Sequence, residues 1–272
     1  MKPRKKYGQS FLSSTRIAND IVNLANLTKQ DQVLEIGGGF GILTKLIAEK
    51  AQHVYVIEID SNLVRALHDM AKDYRNVTVI EGDALTVGLP RVNKIVANLP
   101  YSISSEVTFR ILRELDFEEA TLMYQKEFAS RLLADPGTTE YSRLTINVRY
   151  YVEVQELLEV PAKLFYPEPA VDSSVIRMKP RSKGAFAKDT SVFHWVIGGI
   201  YPYPNKNLQR ALRIWFRNLG IEKSLANEVL SHLVGVLSGD ERLRTIDLER
   251  LIRLADVLLM LIENGSIKDP RA

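Results

Sequence analysis

The chain has 272 residues and a formal net charge of +3 at pH 7. Typical domains hold about 100 to 200 residues, so this length predicts one large and one small domain. Hydrophobic residues make up 46% of the chain and charged residues 25%, a balance typical of soluble globular proteins. There is no cysteine, which excludes disulfides and thiolate metal sites and suits a reducing cytoplasm.

Two further classes of protein are disfavoured by the sequence. The four histidines are scattered without the spacing of metal ligands, so we expect no metal. The longest apolar stretch, Leu254–Ile262, is far shorter than the ~20 residues that span a membrane. The basic start, Met1–Lys6, is followed by polar residues rather than by the apolar run of an export signal. We expect a cytoplasmic protein that acts as a monomer and does not contact a membrane.

Basic residues cluster at the start of the chain and again after a probable strand. The first cluster contains Lys2, Arg4, Lys5 and Lys6, and the second spans Arg177–Lys183. Both are compatible with ordinary solvated surfaces and with phosphate binding, and charge alone leaves the two readings open.

The region from Gln32 to Tyr124 predicts an α/β sheet. Short β-rich runs alternate there with amphipathic segments of helix length, as in parallel strands joined by crossover helices. The predicted strands are Val33–Ile36, Val54–Glu58, Val77–Ile80, Ile95–Ala97 and Thr121–Met123. The predicted helices are Ile42–Lys50, Asn62–Lys72 and Glu106–Glu114. The pattern is typical of a Rossmann-like, doubly wound α/β fold with a mostly parallel sheet, in which ligands bind at the carboxyl ends of the strands.

The rest of the chain completes the sheet and then becomes helical. Val154–Val160 and Ser174–Met178 are β-like and are separated by three prolines, which predicts an edge pair. The pattern loosens near 182–188, and only helical periodicity follows. We therefore predict a large α/β domain at 1–186 and a small all-helical domain at 187–272.

A glycine-rich segment, Glu35–Gly41, lies where the first predicted strand ends and the first helix begins. Its glycines allow a tight turn and close backbone approach to a nucleotide-like ligand. The glycines occupy alternate positions, 37, 39 and 41, and the dinucleotide fingerprint would need another glycine in place of Ile42. This spacing favours S-adenosyl-L-methionine over NAD.

Acidic residues follow the next two strands. Glu58 ends the second strand, where a carboxylate can accept both ribose hydroxyls. Asp83, followed by Ala84, comes after the third strand and is suited to accept from an adenine amine. Three such features in order predict an S-adenosylmethionine site, with S-adenosylhomocysteine as the product.

The segment after the fourth strand, Asn98–Leu99–Pro100–Tyr101, predicts the reactive site. The Asn98 side-chain carbonyl and the main-chain carbonyl of Leu99 or Pro100 can accept the two N–H groups of a planar exocyclic amine. Tyr101 can stack on the ring. Methyl transfer from a sulfonium needs alignment more than acid or base, and an adenine would have to leave any duplex to enter such a site.

Together with Tyr7–Leu12 and Phe165–Ser173, these motifs resemble the rRNA adenine N6-dimethyltransferases. The match is closest to the branch that dimethylates two adjacent adenosines near the 3′ end of small-subunit rRNA, and it covers about Lys5–Met178, with the tail more loosely similar. The resemblance implies a small-ribosomal-subunit partner and a role in its biogenesis.

The resemblance also assigns residues. It implies that Gln9, Ser10 and Leu12 close over the cofactor, and that Phe165 packs on the far side of the target base. The cofactor contacts that it implies are Gly37, Gly39, Glu58, Asp83, Ala84 and Asn98. Ser10 stands where the family commonly has asparagine. If the resemblance is set aside, the sequence predicts that Phe165 is an aromatic residue of the core.

The helical tail contains a candidate RNA-binding stripe. At 3.6 residues per turn, the basic residues of one segment fall on one face and its apolar residues on the opposite face. The basic residues are Lys206, Arg210, Arg213 and Arg217, and the apolar ones are Leu208, Leu212, Trp215 and Leu219. We expect the basic stripe, with Lys5 and Lys6, to contact RNA phosphates; solvated surface arginines are the alternative. Glu241–Ile262 is predicted to be a core helix.

Four alternatives remain open at this point. Large-subunit rRNA methylation shares the same motifs, and a DNA adenine methyltransferase would share the chemistry. A non-catalytic ribosome-assembly or RNA-binding factor could retain the fold. An NAD-dependent dehydrogenase is the remaining alternative.

Overall fold

The computed structural model describes residues 10–269, which form two compact units. The first unit contains 10–130 and 152–180, and the second contains 131–151 and 181–269. The predicted division at 186/187 differs from this in two respects, because both 131–151 and 181–186 belong to the second unit. Tyr141, Ile146 and Tyr150 are buried in that unit's apolar core, which explains the assignment.

The first unit contains the predicted α/β sheet. Within the described residues it has seven strands: β2 (Gln32–Ile36), β3 (His53–Glu58), β4 (Val77–Glu81), β5 (Lys94–Asn98), β6 (Glu119–Gln125), β7 (Val152–Val160) and β9 (Ser173–Pro180). Their order is β4-β3-β2-β5-β6-β9-β7. The five strands from β2 to β6 pair in parallel, and β9 and β7 add antiparallel at one edge. The predicted doubly wound sheet and its edge pair are confirmed. The first and last residues of every predicted strand agree with the structure to within two positions.

The central strands are apolar because helices cover both faces of a parallel sheet. Four of the five residues of β2 and six of the seven of β6 are buried. The helices joining the parallel strands are α2 (Ile42–Lys50), α3 (Ser61–Ala71) and α4 (Ser104–Glu114), and α1 (Thr15–Leu24) precedes the sheet. Helix α1 was not among the predicted elements. Its first turn is closed by Ser14, whose side chain accepts from Ile17 N.

A second, small pair of strands lies outside the main sheet. Strands β1 (Phe11–Leu12) and β8 (Phe165–Tyr166) pair antiparallel. Leu12 and Phe165 are opposite each other in register, and both are buried in the apolar core of the first unit. The pairing therefore ties the beginning of the described chain to the segment just before β9.

The remaining helices are α5 (Lys126–Leu133), α6 (Arg143–Tyr151), α7 (Thr190–Ile200), α8 (Leu208–Asn218), α9 (Leu225–Ser231) and α10 (Leu248–Glu263). Helices α7 to α10 form the predicted helical tail. Leu254, Leu258 and Leu261 are fully buried in the core of the second unit, as predicted. The sequence signals for α5 and α6 were missed.

Two details of the tail were predicted wrongly. The last helix begins at Leu248 and not at Glu241, because the Asp247 side chain accepts from Arg250 N and caps its first turn. Leu219 does not dock with the apolar stripe, since it lies beyond the end of α8 and is 44% exposed.

A search of residues 10–269 for a helix with the length and apolarity to cross a bilayer finds none.

Adjacent glycines in α7 provide a test of the packing in the second unit. A Cβ on Gly199 would overlap the Trp215 ring, whereas a Cβ on Gly198 meets nothing within 4 Å. We expect Gly199→Ala to lower the free energy of unfolding by about 1 to 3 kcal/mol through overpacking. Gly198→Ala should raise it by about 0.5 to 1 kcal/mol, because alanine loses less backbone entropy in a helix. Urea unfolding of both variants measures the difference, and equal effects would contradict this packing.

Candidate active site

A pocket of about 440 Å³ opens at the carboxyl ends of the parallel strands. Its volume lies in the range of small-molecule sites, about 300 to 1,000 Å³. Most of the residues predicted from the motifs line it: Ser10, Gly37, Gly39, Glu58, Asp83, Ala84, Asn98, Leu99, Pro100 and Tyr101. The structure thus brings together side chains that lie up to 91 positions apart in sequence, from Ser10 to Tyr101.

The glycine loop between β2 and α2 needs glycine for its backbone shape. Gly37, Gly39 and Gly41 have φ angles of +78°, +56° and +80°, a region that side chains with a Cβ rarely adopt. Gly37 N donates to Ile57 O at 2.8 Å, which joins the loop to β3. The alternation of glycines at 37, 39 and 41 therefore follows from three left-handed residues in one turn.

Glu58 at the end of β3 is held by three backbone N–H groups. Its Oε2 accepts from Gly39 N at 3.0 Å, and its Oε1 accepts from Ile59 N at 3.0 Å and Asp60 N at 2.9 Å. The side chain is buried, yet it lines the pocket. A carboxylate has about four acceptor positions, so acceptor capacity remains for a hydroxyl donor in the pocket.

A second carboxyl, Glu35, lies beneath the glycine loop. It accepts a hydrogen bond from Thr44 Oγ1 at 2.6 Å and lines a smaller cavity of about 140 Å³ beside Gly37 and Asn98. Burial raises the pKa of the Glu35 carboxyl to about 8; the Thr44 hydrogen bond opposes this shift and the charge of Glu58 adds to it. Near neutral pH the Glu35 carboxyl is therefore mostly protonated.

The loop after β4 carries Asp83 and Ala84 into the pocket. Asp83 Oδ1 accepts from Leu85 N at 2.8 Å, which folds the loop back on itself. Arg110 of α4 donates to Ala84 O at 2.6 Å and also bonds Glu114 at 3.0 Å. Sequence reasoning missed Arg110, because its i,i+4 spacing from Glu114 indicates an ion pair on the helix and not the contact with Ala84 O.

The reactive segment begins where β5 ends. Asn98 Nδ2 donates to Ser10 O at 3.3 Å, so the amide nitrogen is engaged and the Oδ1 atom remains the acceptor of this side chain. Tyr101 OH hydrogen-bonds Ser173 Oγ at 2.6 Å. Burial raises the pKa of the Tyr101 phenol, with the Ser173 bond opposing the shift. The ring of Tyr101 is thus fixed at its far end.

The residues predicted to close over the cofactor lie at different distances from the pocket: Ser10 lines it and Leu12 lines only the smaller cavity beside it. Ser10 Oγ donates to Pro167 O at 2.7 Å, a specific contact made by the serine that stands in place of asparagine. Leu12 lines the smaller cavity, and Phe11, which was not predicted, lines both. Gln9, Lys5 and Lys6 lie outside the described residues.

Phe165, predicted to contact the target base, lines neither the pocket nor the smaller cavity. Its side chain is 4% exposed and packs in the core of the first unit with Leu12 and Val175. Its position is that of a core aromatic, the reading favoured by local pattern alone. A contact between Phe165 and a target base stays a prediction.

The predicted RNA-binding stripe lies in the second unit. Arg210, Arg213 and Arg217 project from α8 and are exposed, and Lys206 lies just before the helix. Leu208, Leu212 and Trp215 on the opposite face are buried. Arg213 Nη2 donates to Asn227 Oδ1 at 3.1 Å. Except for Leu219, the predicted division into a docked face and an exposed basic face is confirmed, and RNA contact stays a prediction.

The residues around the pocket fit a nucleoside-bearing cofactor. The cavity has room for it, Glu58 and Asp83 supply acceptors at two strand ends, and the glycine loop exposes backbone at a third. Among residues 10–269, no three His, Asp or Glu side chains are grouped as a metal site requires.

Comparisons with known proteins agree with this geometry. A family model described as "Ribosomal RNA adenine dimethylase" matches residues 1–234. A Methanococcus maripaludis (strain C7) protein named "Probable ribosomal RNA small subunit methyltransferase A" is 40% identical over 260 residues, which cover 95% of this chain and 98% of that protein.

Solved structures give the same result for the fold. A dimethyladenosine transferase from Plasmodium falciparum has a TM-score of 0.80 at 29% identity, over 94% of this chain and 98% of that one. The 23S rRNA methyltransferase ErmE has a TM-score of 0.67 at 26% identity, over 91% and 99%. These likenesses confirm the class I methyltransferase fold, and the family match extends through most of the chain. This chain belongs to the ribosomal RNA adenine dimethylase family.

Proposed function

We propose that this protein transfers methyl groups from S-adenosylmethionine to N6 of two adjacent adenosines near the 3′ end of small-subunit rRNA, giving N6,N6-dimethyladenosine. The observation that carries the proposal is the position of Asn98–Tyr101, whose acceptors and ring line the same pocket as Glu58 and Asp83. The names of close relatives, which specify the small subunit, support that substrate. A cytoplasmic location is part of this proposal, because the proposed substrate is ribosomal RNA.

In this proposal the pocket residues hold both partners of the reaction. Glu58 would accept from the ribose of the cofactor and Asp83 from its adenine amine, while the glycine loop allows close approach. The cofactor, when bound, supplies an electrophilic methyl group on a sulfonium. The protein's contribution is alignment, since an in-line displacement needs the amine held opposite the leaving group.

In the proposed complex, two carbonyl oxygens hold the exocyclic amine of the target adenine. Asn98 Oδ1 is one acceptor, and its orientation follows from the bond between Asn98 Nδ2 and Ser10 O. The Pro100 carbonyl already accepts from Ile103 N at 3.1 Å and Ser104 Oγ at 3.2 Å. The Leu99 carbonyl is therefore the better second acceptor. Tyr101, fixed by Ser173, would stack on the adenine.

A methyl-transfer assay tests this function. Purified protein, labelled S-adenosylmethionine and unmodified small ribosomal subunits should yield dimethyladenosine, measured by mass spectrometry of nucleosides. Asn98→Ala should lower the rate by about 100-fold or more, the cost of losing one preorganised hydrogen-bonding group. Asn19→Ala, the same truncation on the exposed face of α1, should leave the rate unchanged.

Substrates offered in parallel distinguish the alternatives. Preferential methylation of large subunits or of duplex DNA would contradict the proposed substrate. A wild-type protein that promotes subunit maturation but yields no methylated adenosine would establish the non-catalytic assembly factor instead.

We also propose that the second unit contacts rRNA through the exposed basic face of α8. Arg210 and Arg217 are exposed, and phosphate contacts release counterions on binding.

The double variant Arg210→Gln, Arg217→Gln should weaken binding to small subunits. It should also reduce the slope of log K against log salt by about 1 per lost phosphate contact. Arg253→Gln, which removes an exposed arginine from α10, is the matched control. Filter binding at several salt concentrations measures the slopes. Equal slopes for wild type and the double variant would show that these arginines are merely solvated.

A further inference from the structure

The pair of β1 and β8 sorts its four side chains onto two faces. Residues directly opposite each other in an antiparallel pair project to the same side. Leu12 and Phe165 form one such pair and are buried; Phe11 and Tyr166 form the other. Tyr166 is 65% exposed, so the outer side of this strand pair carries aromatic rings.

A third aromatic residue extends this outer side. Phe40 follows Gly39 in the glycine loop, is 51% exposed, and its ring centroid lies 4.8 Å from that of Phe11. We use the name exposed aromatic face for the group formed by Phe11, Phe40 and Tyr166. Adjacent large apolar side chains left at a surface mark interaction sites more often than isolated ones do.

The exposed aromatic face begins at the rim of the proposed reaction pocket. Phe11 lines the 440 Å³ pocket and also the smaller cavity that Phe40 lines. The strand that carries Phe11 is held on both sides, because Ser10 O accepts from Asn98 Nδ2 and Ser10 Oγ donates to Pro167 O. These rings therefore lie at an edge of the pocket that a substrate chain inserting one base could cross.

We propose that the exposed aromatic face stacks on an unpaired nucleobase that flanks the target adenosine, an inference that rests on the proposed function. Unpaired RNA bases stack on aromatic side chains, and this interaction tolerates any base because each has a π-face. Tyr166 is the principal residue, since it is the most exposed of the three rings. The face positions the strand next to the pocket and takes no part in the chemical step.

Steady-state methylation of unmodified small subunits tests the proposal with Tyr166→Ala and Tyr166→Phe. Tyr166→Ala should raise KM for the subunit about 10-fold, as expected for the loss of one base–aromatic stack, with kcat and S-adenosylmethionine affinity unchanged. Tyr166→Phe keeps the ring and should match wild type. Phe186→Ala, which removes a half-exposed ring from the second unit, is the control and should leave KM unchanged.

A photo-cross-link identifies the partner directly. A single-stranded RNA with 5-iodouridine beside an adenosine should cross-link to Tyr166, Phe11 or Phe40, located by mass spectrometry of peptides. An unchanged KM for Tyr166→Ala, or cross-links to other residues only, would overturn the stacking proposal. Methylation by the wild-type protein in the same assay would still support the proposed function. If Tyr166→Phe loses as much as Tyr166→Ala, the hydroxyl and not the ring is the contact. If the wild-type protein does not methylate the subunit, the proposed function itself is contradicted.

Discussion

The site depends first on the carboxylate of Glu58, which accepts hydrogen bonds from three backbone N–H groups. These bonds come from Gly39 in one loop and from Ile59 and Asp60 in the next. A buried carboxylate left without such partners would cost several kcal/mol, so the two loops are constrained to converge on it. The glycine loop consequently holds its three left-handed residues in the position where a nucleoside would meet backbone rather than side chains.

The other elements of the pocket are tied to this centre by a few specific bonds. Asn98 is joined to Ser10, and Ser10 to Pro167. Tyr101 is joined to Ser173, and Ala84 to Arg110. Each bond joins two segments that lie 26 or more positions apart in sequence. The pocket is therefore held in shape by bonds between its own segments, as expected for a reaction in which alignment supplies most of the catalysis.

Local pattern predicted the strand ends to within two residues, because the periodicity of β2 to β6 and the glycine spacing are properties of short windows. It could not predict features that depend on long-range pairing. The assignment of 131–151 to the second unit follows from the burial of Tyr141 and Tyr150 in that unit's core, and the burial of Phe165 follows from its register with Leu12. Arg110 acts on a carbonyl 26 positions away, which no local motif indicates.

The central claim is that Glu58 organises a nucleoside cofactor site, and calorimetry of S-adenosylmethionine binding tests it most directly. Glu81 ends the neighbouring strand at the matching register position and is exposed, so Glu81→Gln is a matched control for Glu58→Gln. We expect Glu58→Gln to weaken binding by roughly 10- to 100-fold, the value of charge-assisted hydrogen bonds, and Glu81→Gln to bind as wild type does. Equal affinity of the two variants, or no binding by wild type, would contradict it.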